Sequence, residues 1–312
     1  MITTITLNVA VDKAYVIEKL ERGSVMRVQK CTNTAGGKGL NVAKVAHLCG
    51  EEVQAGGFVG GHAGAYVEDL LSSEGIPACF VHTKRETRSC INVLEADGTS
   101  TEFLEPGEPV SEAELIEFTE KFKKMVEQSS VITISGSVPK GVPVSYYGDL
   151  IRTTREAGKK VVLDTSGQLL KEAIKACPTL VKPNQDEIED LLGIKVNNHK
   201  ELLEGAKKIH QMGIPIVVVS LGAEGSLVVC EEGCFLGKPS KIKVVNTVGC
   251  GDSMTAAFAV GLSRGYSVRE TLKYATAVSA ANAMTMETGS FRQEDMENNL
   301  KLAMVMNDPE DH

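Results

Sequence analysis

Short runs along this chain are apolar at every position rather than at alternate ones. VITIS (131–135), KVVLD (160–164), TLVK (179–182) and IPIVVVS (214–220) all read this way. A strand with one wet face alternates, whereas a continuously apolar strand is covered on both faces, as in a parallel sheet between helices. The segments between these runs are amphipathic. The plainest, SEAELIEFTEKFKKMVEQ, opens on Ser111 with Glu114 three residues on, and Ser267 with Glu270 repeats that signature before TLKYATAVSAANAM. In such a pair the serine accepts a first-turn amide while the glutamate bonds back to the serine amide, so both pairs mark helix starts. Alternating strands and helices predict a three-layer α/β/α sandwich with a mostly parallel central sheet. Its ligand site should lie beyond the carboxyl ends of the strands. Residues 12–34 and 89–105 break the rhythm. RSCINVLEADGTSTEFLE reads as two strands around an Asp-Gly turn. We expect these two pieces to form a small β lid on a single domain spanning residues 1–312.

Composition narrows the function. The formal net charge is −8 and no basic stripe is present, which argues against a nucleic-acid partner. The eight cysteines are scattered, and the nearest pair, Cys230 and Cys234 in VCEEGC, has no second pair or histidine cluster to complete a zinc site. A reduced, cytoplasmic protein is expected. The opening MITTITLNVAVD reads as a strand with an acid at its end, not as a signal peptide. No apolar run reaches membrane-spanning length, so no membrane association is expected.

Four glycine- or polar-rich stretches carry candidate chemistry. In NTVGCGDSMTAAFAVGL, Gly249, Cys250 and Gly251 precede an apolar helical run, and Asp252 stands at its mouth. Small residues there leave backbone N–H groups free to hold an anion, beside a carboxylate that the helix dipole also favours. In TAGGKGLNVAKVAHLCG, Gly36, Gly37 and Gly39 permit close backbone approach to a ligand and Lys38 adds a positive charge; a plain turn into a helix reads the same way. In VKPNQDEIEDLLG, Lys182, Asn184 and Glu187 follow a strand. Asn184 and Glu187, one helical turn apart, suit Mg²⁺ held through its waters or simply cap the helix. In VVVSLGAEGSLVV, Ser220, Gly222 and Gly225 form a tight turn between two strands.

Taken together and in order, AGGKGLNVAKV, SGSVPKGV (135–142), VKPNQDE, SLGAEG and VGCGDS span nearly the whole chain. With them the sequence resembles the ribokinase-like carbohydrate kinases, in the phosphofructokinase B branch, nearest the 1-phosphofructokinases and tagatose-6-phosphate kinases. The resemblance implies ATP-dependent phosphorylation of a ketohexose monophosphate to the bisphosphate. Asp252 would be the general base, and the amides of Gly249, Cys250 and Gly251 the anion hole for the transferring phosphoryl group. It implies that Asn184 and Glu187 organise Mg²⁺ and the ATP phosphates, with Lys182 near them. Ser220, Gly222 and Gly225 would form the nucleotide turn, and Asn282 would border adenine or ribose. Asp12, at the end of the first strand, with Gly36, Gly37, Lys38 and Asn41, would take the acceptor sugar. Arg88, with Arg27 and Ser137, would take the phosphate it already carries. A homodimer through the lid is the expected assembly. Another sugar or nucleoside kinase, or a non-catalytic sugar-phosphate sensor, is the alternative; Lys38 and Arg88 argue against the first, and the retained Asp252, Asn184 and Glu187 against the second. A dinucleotide-dependent dehydrogenase fits poorly, because the glycine spacing is wrong. Two departures stand out: Val9 where the family has proline, and Cys250 where it has Ala or Ser. A thiol at a helix N-terminus is expected to have a lowered pKa and raised reactivity.

Overall fold

The computed structural model describes residues 1–311. Among these, ten strands form one sheet and four form another. The large sheet takes β1 (Ile2–Thr6), β4 (Val53–Gly60), β5 (Ala78–Thr83), β8 (Val131–Ser135), β9 (Lys160–Asp164), β10 (Leu180–Val181), β11 (Ile216–Ser220), β12 (Ser226–Cys230), β13 (Gly233–Lys238) and β14 (Met304–Asn307). The small sheet takes β2 (Ala10–Ile17), β3 (Lys30–Gly36), β6 (Arg88–Glu95) and β7 (Ser100–Leu104). In the large sheet the order is β14-β13-β12-β11-β10-β9-β8-β1-β4-β5. Pairing is parallel from β11 through to β5 and antiparallel across the β12–β14 end.

Side chains along these strands alternate between two cores. Val218 and Val162 face one and Val217, Val219, Val161 and Leu163 the other, which is why the runs are apolar at every position. The first core is closed by α1 (Lys38–Leu48), α2 (Gly61–Ser73), α8 (Cys250–Arg264), α9 (Val268–Ala283) and α10 (Gln293–Leu302). The second is closed by α3 (Glu112–Gln128), α4 (Tyr146–Glu156), α5 (Gly167–Ala173), α6 (Gln185–Leu192) and α7 (His199–Gln211). The capping boxes at Ser111 and Ser267 form as their spacing predicts. The result is the three-layer α/β/α sandwich with a small second sheet.

The small sheet, in the order β3-β2-β6-β7, joins the hairpin β6–β7 to β2 by a parallel pairing. The opening segment corrects one expectation: it is two strands, not one ending in an acid. β1 stops at Thr6, the chain turns through Leu7, Asn8 and Val9, and β2 begins in the other sheet, so Asp12 lies in a lid strand. Both flanks of the turn are buried, and Val9 itself is only 3% exposed; the break leaves no mark in the pattern.

The chain switches direction in the sheet at β1, which is flanked by β4 on one side and β8 on the other. A crevice opens at the carboxyl ends of the strands at such a point. Here the small sheet stands over it.

Candidate active site

The crevice is a cleft of about 550 Å³, lined by Thr6, Asn8 and Asp12, by Gly37, Lys38 and Asn41, by Arg88 and Ser137, and by Asp164, Lys182, Gly249, Gly251 and Asp252. Its floor is the N-terminus of α8. Gly249 adopts a left-handed conformation (φ +84°), and a Cβ there would lie 2.9 Å from the Gly289 nitrogen and the Thr288 methyl group, so only glycine fits. No side chain caps this helix. Among the described residues the amides of Gly249, Gly251 and Asp252 have no hydrogen-bond acceptor, whereas the Cys250 amide donates to the Thr247 carbonyl at 3.3 Å. The free donors are therefore Gly249, Gly251 and Asp252 rather than the expected set with Cys250, because the turn into the helix spends that one amide. A Cβ on Gly251 would meet the Lys182 ammonium at 3.5 Å. A cation thus stands directly over the anion-binding amides.

Asp252 is 7% exposed and accepts a hydrogen bond from Asn41 Nδ2 at 2.8 Å. Burial, and next the neighbouring negative charge of Asp164, push its carboxyl up to about 6, against the pull of Lys38, Asn41 and Lys182. A carboxylate with that proton affinity is ionised at neutral pH and well matched to accept a proton.

Sequence reasoning missed Asp164. It ends β9, is 2% exposed, and pairs with Lys182 at 3.2 Å and Lys38 at 3.5 Å. Thr255 donates to it at 3.1 Å. Burial opposes its charge, but the two ammonium groups and these hydrogen bonds outweigh that, holding the carboxyl below its usual range. Its field, chiefly, holds Lys38 above the ordinary lysine range, with Asp252 and Glu187 adding to it. The signal was available: an acid closing an otherwise apolar strand in such a sheet points into the crevice. Lys38 accordingly stands with Lys182 and Asp164 at the anion-binding floor.

Arg88 stands at the other end of the cleft. Its Nε and Nη2 donate to the Asn8 carbonyl at 3.2 and 3.0 Å, and Nη1 donates to the Glu105 carbonyl at 2.7 Å. These fix the guanidinium plane and leave two of its five N–H donors for a ligand. Asn8, also unanticipated, donates from Nδ2 to the exposed Ser137 hydroxyl at 3.1 Å. Asp12 is raised by burial, against the charges of Lys44 and Arg88 and the Gly37 amide. A Cβ on Gly36 would overlap its carboxyl group, so that glycine makes room for Asp12. Arg27 is not brought in; it lies in the exposed segment between β2 and β3.

The second helix start behaves differently. Asn184 and Glu187 form a closed capping box, with Asn184 Oδ1 accepting from the Glu187 amide and Glu187 Oε2 from the Asn184 amide, both at 2.9 Å. Asn184 and Ser220 line an adjoining open pocket with Leu221 and Glu224. Gly222 and Gly225 shape that turn through positive φ, and a Cβ on Gly225 would strike the Gly237 carbonyl. No cluster of three His, Cys, Asp or Glu suited to a metal exists among the described residues.

Asn282 and Cys250 depart from expectation. Asn282 is fully buried. Its Oδ1 accepts from the Gly289 and Ser290 amides at 3.1 and 3.2 Å, and its Nδ2 donates to the Val248 carbonyl at 3.1 Å. It braces the loop behind Gly249 instead of facing a nucleotide, because α9 points this residue inward. Burial pushes the Cys250 thiol above its ordinary pKa, against hydrogen bonds from Asn282 and Ser279. Desolvation, with the nearby Asp252 charge, acts in the direction opposite to the expected lowering.

An anion-binding helix start, a buried base beside it and a lysine pair above it are the parts of a phosphoryl-transfer site. The family model for the pfkB carbohydrate kinases matches residues 5–295. A tagatose-6-phosphate kinase of Staphylococcus epidermidis is 40% identical over 93% of this chain and 94% of its own. Among solved structures, phosphofructokinase-2 of Escherichia coli with potassium superposes with a TM-score of 0.90 at 29% identity, covering 96% of this chain and 98% of that one. A possible 1-phosphofructokinase of Thermotoga maritima gives 0.90 at 26% identity, covering 98% and 99%. The chain belongs to the pfkB family of carbohydrate kinases. No helix among the described residues is long and apolar enough to cross a membrane.

Proposed function

We propose that the protein transfers the γ-phosphoryl group of ATP to a hydroxyl of a ketohexose monophosphate, tagatose 6-phosphate or fructose 1-phosphate, to give the bisphosphate. The observation that carries this reading is the single cleft that holds Asp252 beside the free amides of α8 at one end and the oriented Arg88 fork at the other. An acceptor that reacts at one terminus and carries a phosphate at the other would engage both groups. Arg88 matches that phosphate because its planar fork bonds two oxygens. Asp12 and Asn41 receive the sugar hydroxyls.

Asp252 takes the proton of the attacking hydroxyl as that oxygen bonds to phosphorus and ADP leaves. The amides of Gly249 and Gly251, with Lys38 and Lys182, stabilise charge on the transferring group. Asp164 pairs with both lysines, and its field keeps Lys38 protonated for this task. Asn184, Glu187 and Asp164 would hold Mg²⁺ through water; when bound, the ion neutralises phosphate charge. The Ser220, Gly222 and Gly225 turn takes the nucleotide. Leu104 on β7 lines the cleft, and its neighbour Phe103, 53% exposed, points to the opposite face of the lid, where a second subunit's lid would cover it. Light scattering at micromolar concentration should give a dimer mass, and a fully active monomer removes the dimer.

ADP release measured across a panel of sugar phosphates and their dephosphorylated forms tests the whole reading. Turnover is expected with the ketohexose monophosphates. Equal efficiency on a free sugar or nucleoside, or ATP binding without any turnover, sinks it.

A further inference from the structure

Asn282, in the last turn of α9, plays no part in the mechanism above, yet its amide is fully buried. An asparagine side chain offers two acceptor positions and two donors, and here all four are used. Oδ1 accepts from the Gly289 and Ser290 amides. Nδ2 donates to the Val248 carbonyl and, at 3.5 Å, to the Cys250 sulfur. Two N–H groups meet one end of the group and a carbonyl meets the other, which fixes the end that carries oxygen. The partners belong to two separate segments: the turn leading into α8 (246–249) with the first residue of that helix, and the turn after α9 (285–290). Both segments meet at the floor of the cleft. Thr288 and Gly289 pack against Gly249, and a Cβ on Gly289 would lie 3.0 Å from the Asn41 Cβ. Asn41 in turn donates to Asp252. Asn246 Nδ2 joins the same two segments through the Met286 carbonyl at 3.1 Å, but that bond is exposed and competes with water. A buried amide with every position filled holds its partners far more firmly, because movement of either segment leaves a desolvated polar group unpaired.

We propose that Asn282 is a positioning residue for phosphoryl transfer: by locking the turn before α8 to the turn after α9, it aims the free amides of Gly249 and Gly251 at the transferring group. The inference rests on the anion-binding role given to those amides under Proposed function. Asn282 does not line the cleft, while Val248 and Gly249 do, so it acts from behind them. Charge gathers on the transferring group chiefly in the transition state, so a misaimed donor costs rate more than substrate affinity.

The test is Asn282→Leu, which keeps nearly the same volume and cannot hydrogen-bond. A misplacement of about 1 Å can cost about a hundredfold in rate, so kcat should fall by about ten- to a hundredfold. The KM values for ATP and for the acceptor should each stay within about threefold. ADP with Mg²⁺ and aluminium fluoride, a mimic of the transferring group, should bind at least about tenfold more weakly, with ADP alone unchanged. Asn299→Leu controls for the mere loss of a buried amide. Asn299, on α10, is 4% exposed and bonds the Asp295 carbonyl and the Ser240 hydroxyl. That variant should lower the melting temperature while leaving kcat and the aluminium fluoride affinity at wild-type values. Wild-type kcat in Asn282→Leu overturns the proposal. So does equal weakening of ADP with and without aluminium fluoride, or a kcat loss matched by Asn299→Leu. If the wild type phosphorylates no sugar but binds the aluminium fluoride complex, the functional reading fails and the binding ratio still decides the role of Asn282. A wild type that binds no such complex removes the anion-binding role of α8, and this proposal with it. Should Asn282→Leu not fold, Asn282→Asp undergoes the same measurements with the same expected outcome; it keeps the oxygen facing Gly289 and Ser290 and loses the amide donor to Val248.

Discussion

Two helices of this protein begin with nearly the same local chemistry, a small or polar residue and then an acid in the first turn, and they do opposite things. At α6, Asn184 and Glu187 satisfy one another, each side chain taking the other's amide. At α8 no side chain caps the terminus. The amides stay free, and the acid, Asp252, is buried with a raised pKa. One terminus uses its donors to hold itself together, and the other keeps them for a ligand. An acidic first turn is thus no sign of function; the fate of the backbone N–H groups is.

The largest expected effect separates the two helices directly. Asp252→Asn cannot accept a proton, and kcat should fall by roughly two to four powers of ten with ATP binding preserved. Stability should move the other way. The folded pKa of about 6 lies above the 3.8 of an unperturbed aspartate, so the proton favours the fold. That contribution is fully present below about pH 3.8 and is lost as pH rises through about 6. Two units correspond to roughly 3 kcal/mol. Asp252→Asn should therefore melt higher than wild type at pH 8 and at nearly the same temperature at pH 4. The wild-type rate should show an acid limb near pH 6. Normal turnover, or a lower melting point at pH 8, would remove Asp252 from this role.

The far end of the cleft provides the next effect. Arg88→Ala loses a charge-assisted contact, typically about 1.5–3 kcal/mol. The acceptor KM should rise at least roughly tenfold while that for ATP holds. Kinetics in which both constants rise together would show that Arg88 only anchors the lid through Asn8 and Glu105.

At α6 the effect should be smaller and of another kind. Asn184→Ala removes a cap and should lower stability by about 1 kcal/mol. Glu187→Gln should raise the Mg²⁺ needed for half-maximal rate by about tenfold, as loss of a supporting ligand does. An unchanged Mg²⁺ requirement would leave Glu187 as a cap and nothing more, completing the contrast with α8.

The smallest effect is expected at Cys250. With its thiol raised by burial, alkylation near pH 7 should be slow, and Cys250→Ala should match wild type in both activity and inactivation rate. Rapid, ATP-protected inactivation that Cys250→Ala abolishes would mean the helix terminus dominates burial after all.

Much of this was legible along the chain. Continuous apolar strands, the capping boxes at Ser111 and Ser267 and the Asp-Gly hairpin are consequences of short-range sterics and of periodicity, which neighbours in sequence express. The GCGD stretch could be read because a free helix terminus is itself a local object. The break at Leu7–Val9 was invisible, since burial in two different sheets leaves the same apolar record as burial in one. Asp164 and Asn8 were passed over, and the burial acting on Cys250 was not foreseen, for a common reason. Their behaviour is set by desolvation and by charges brought from distant segments, such as Lys38 and Lys182 on Asp164 or Asp252 beside Cys250. Sequence determined which helices and strands form and where a bare terminus would lie. Only the tertiary structure decided which charges face one another across the cleft, because Coulomb energies and burial depend on separation in space, and folding alone sets that separation.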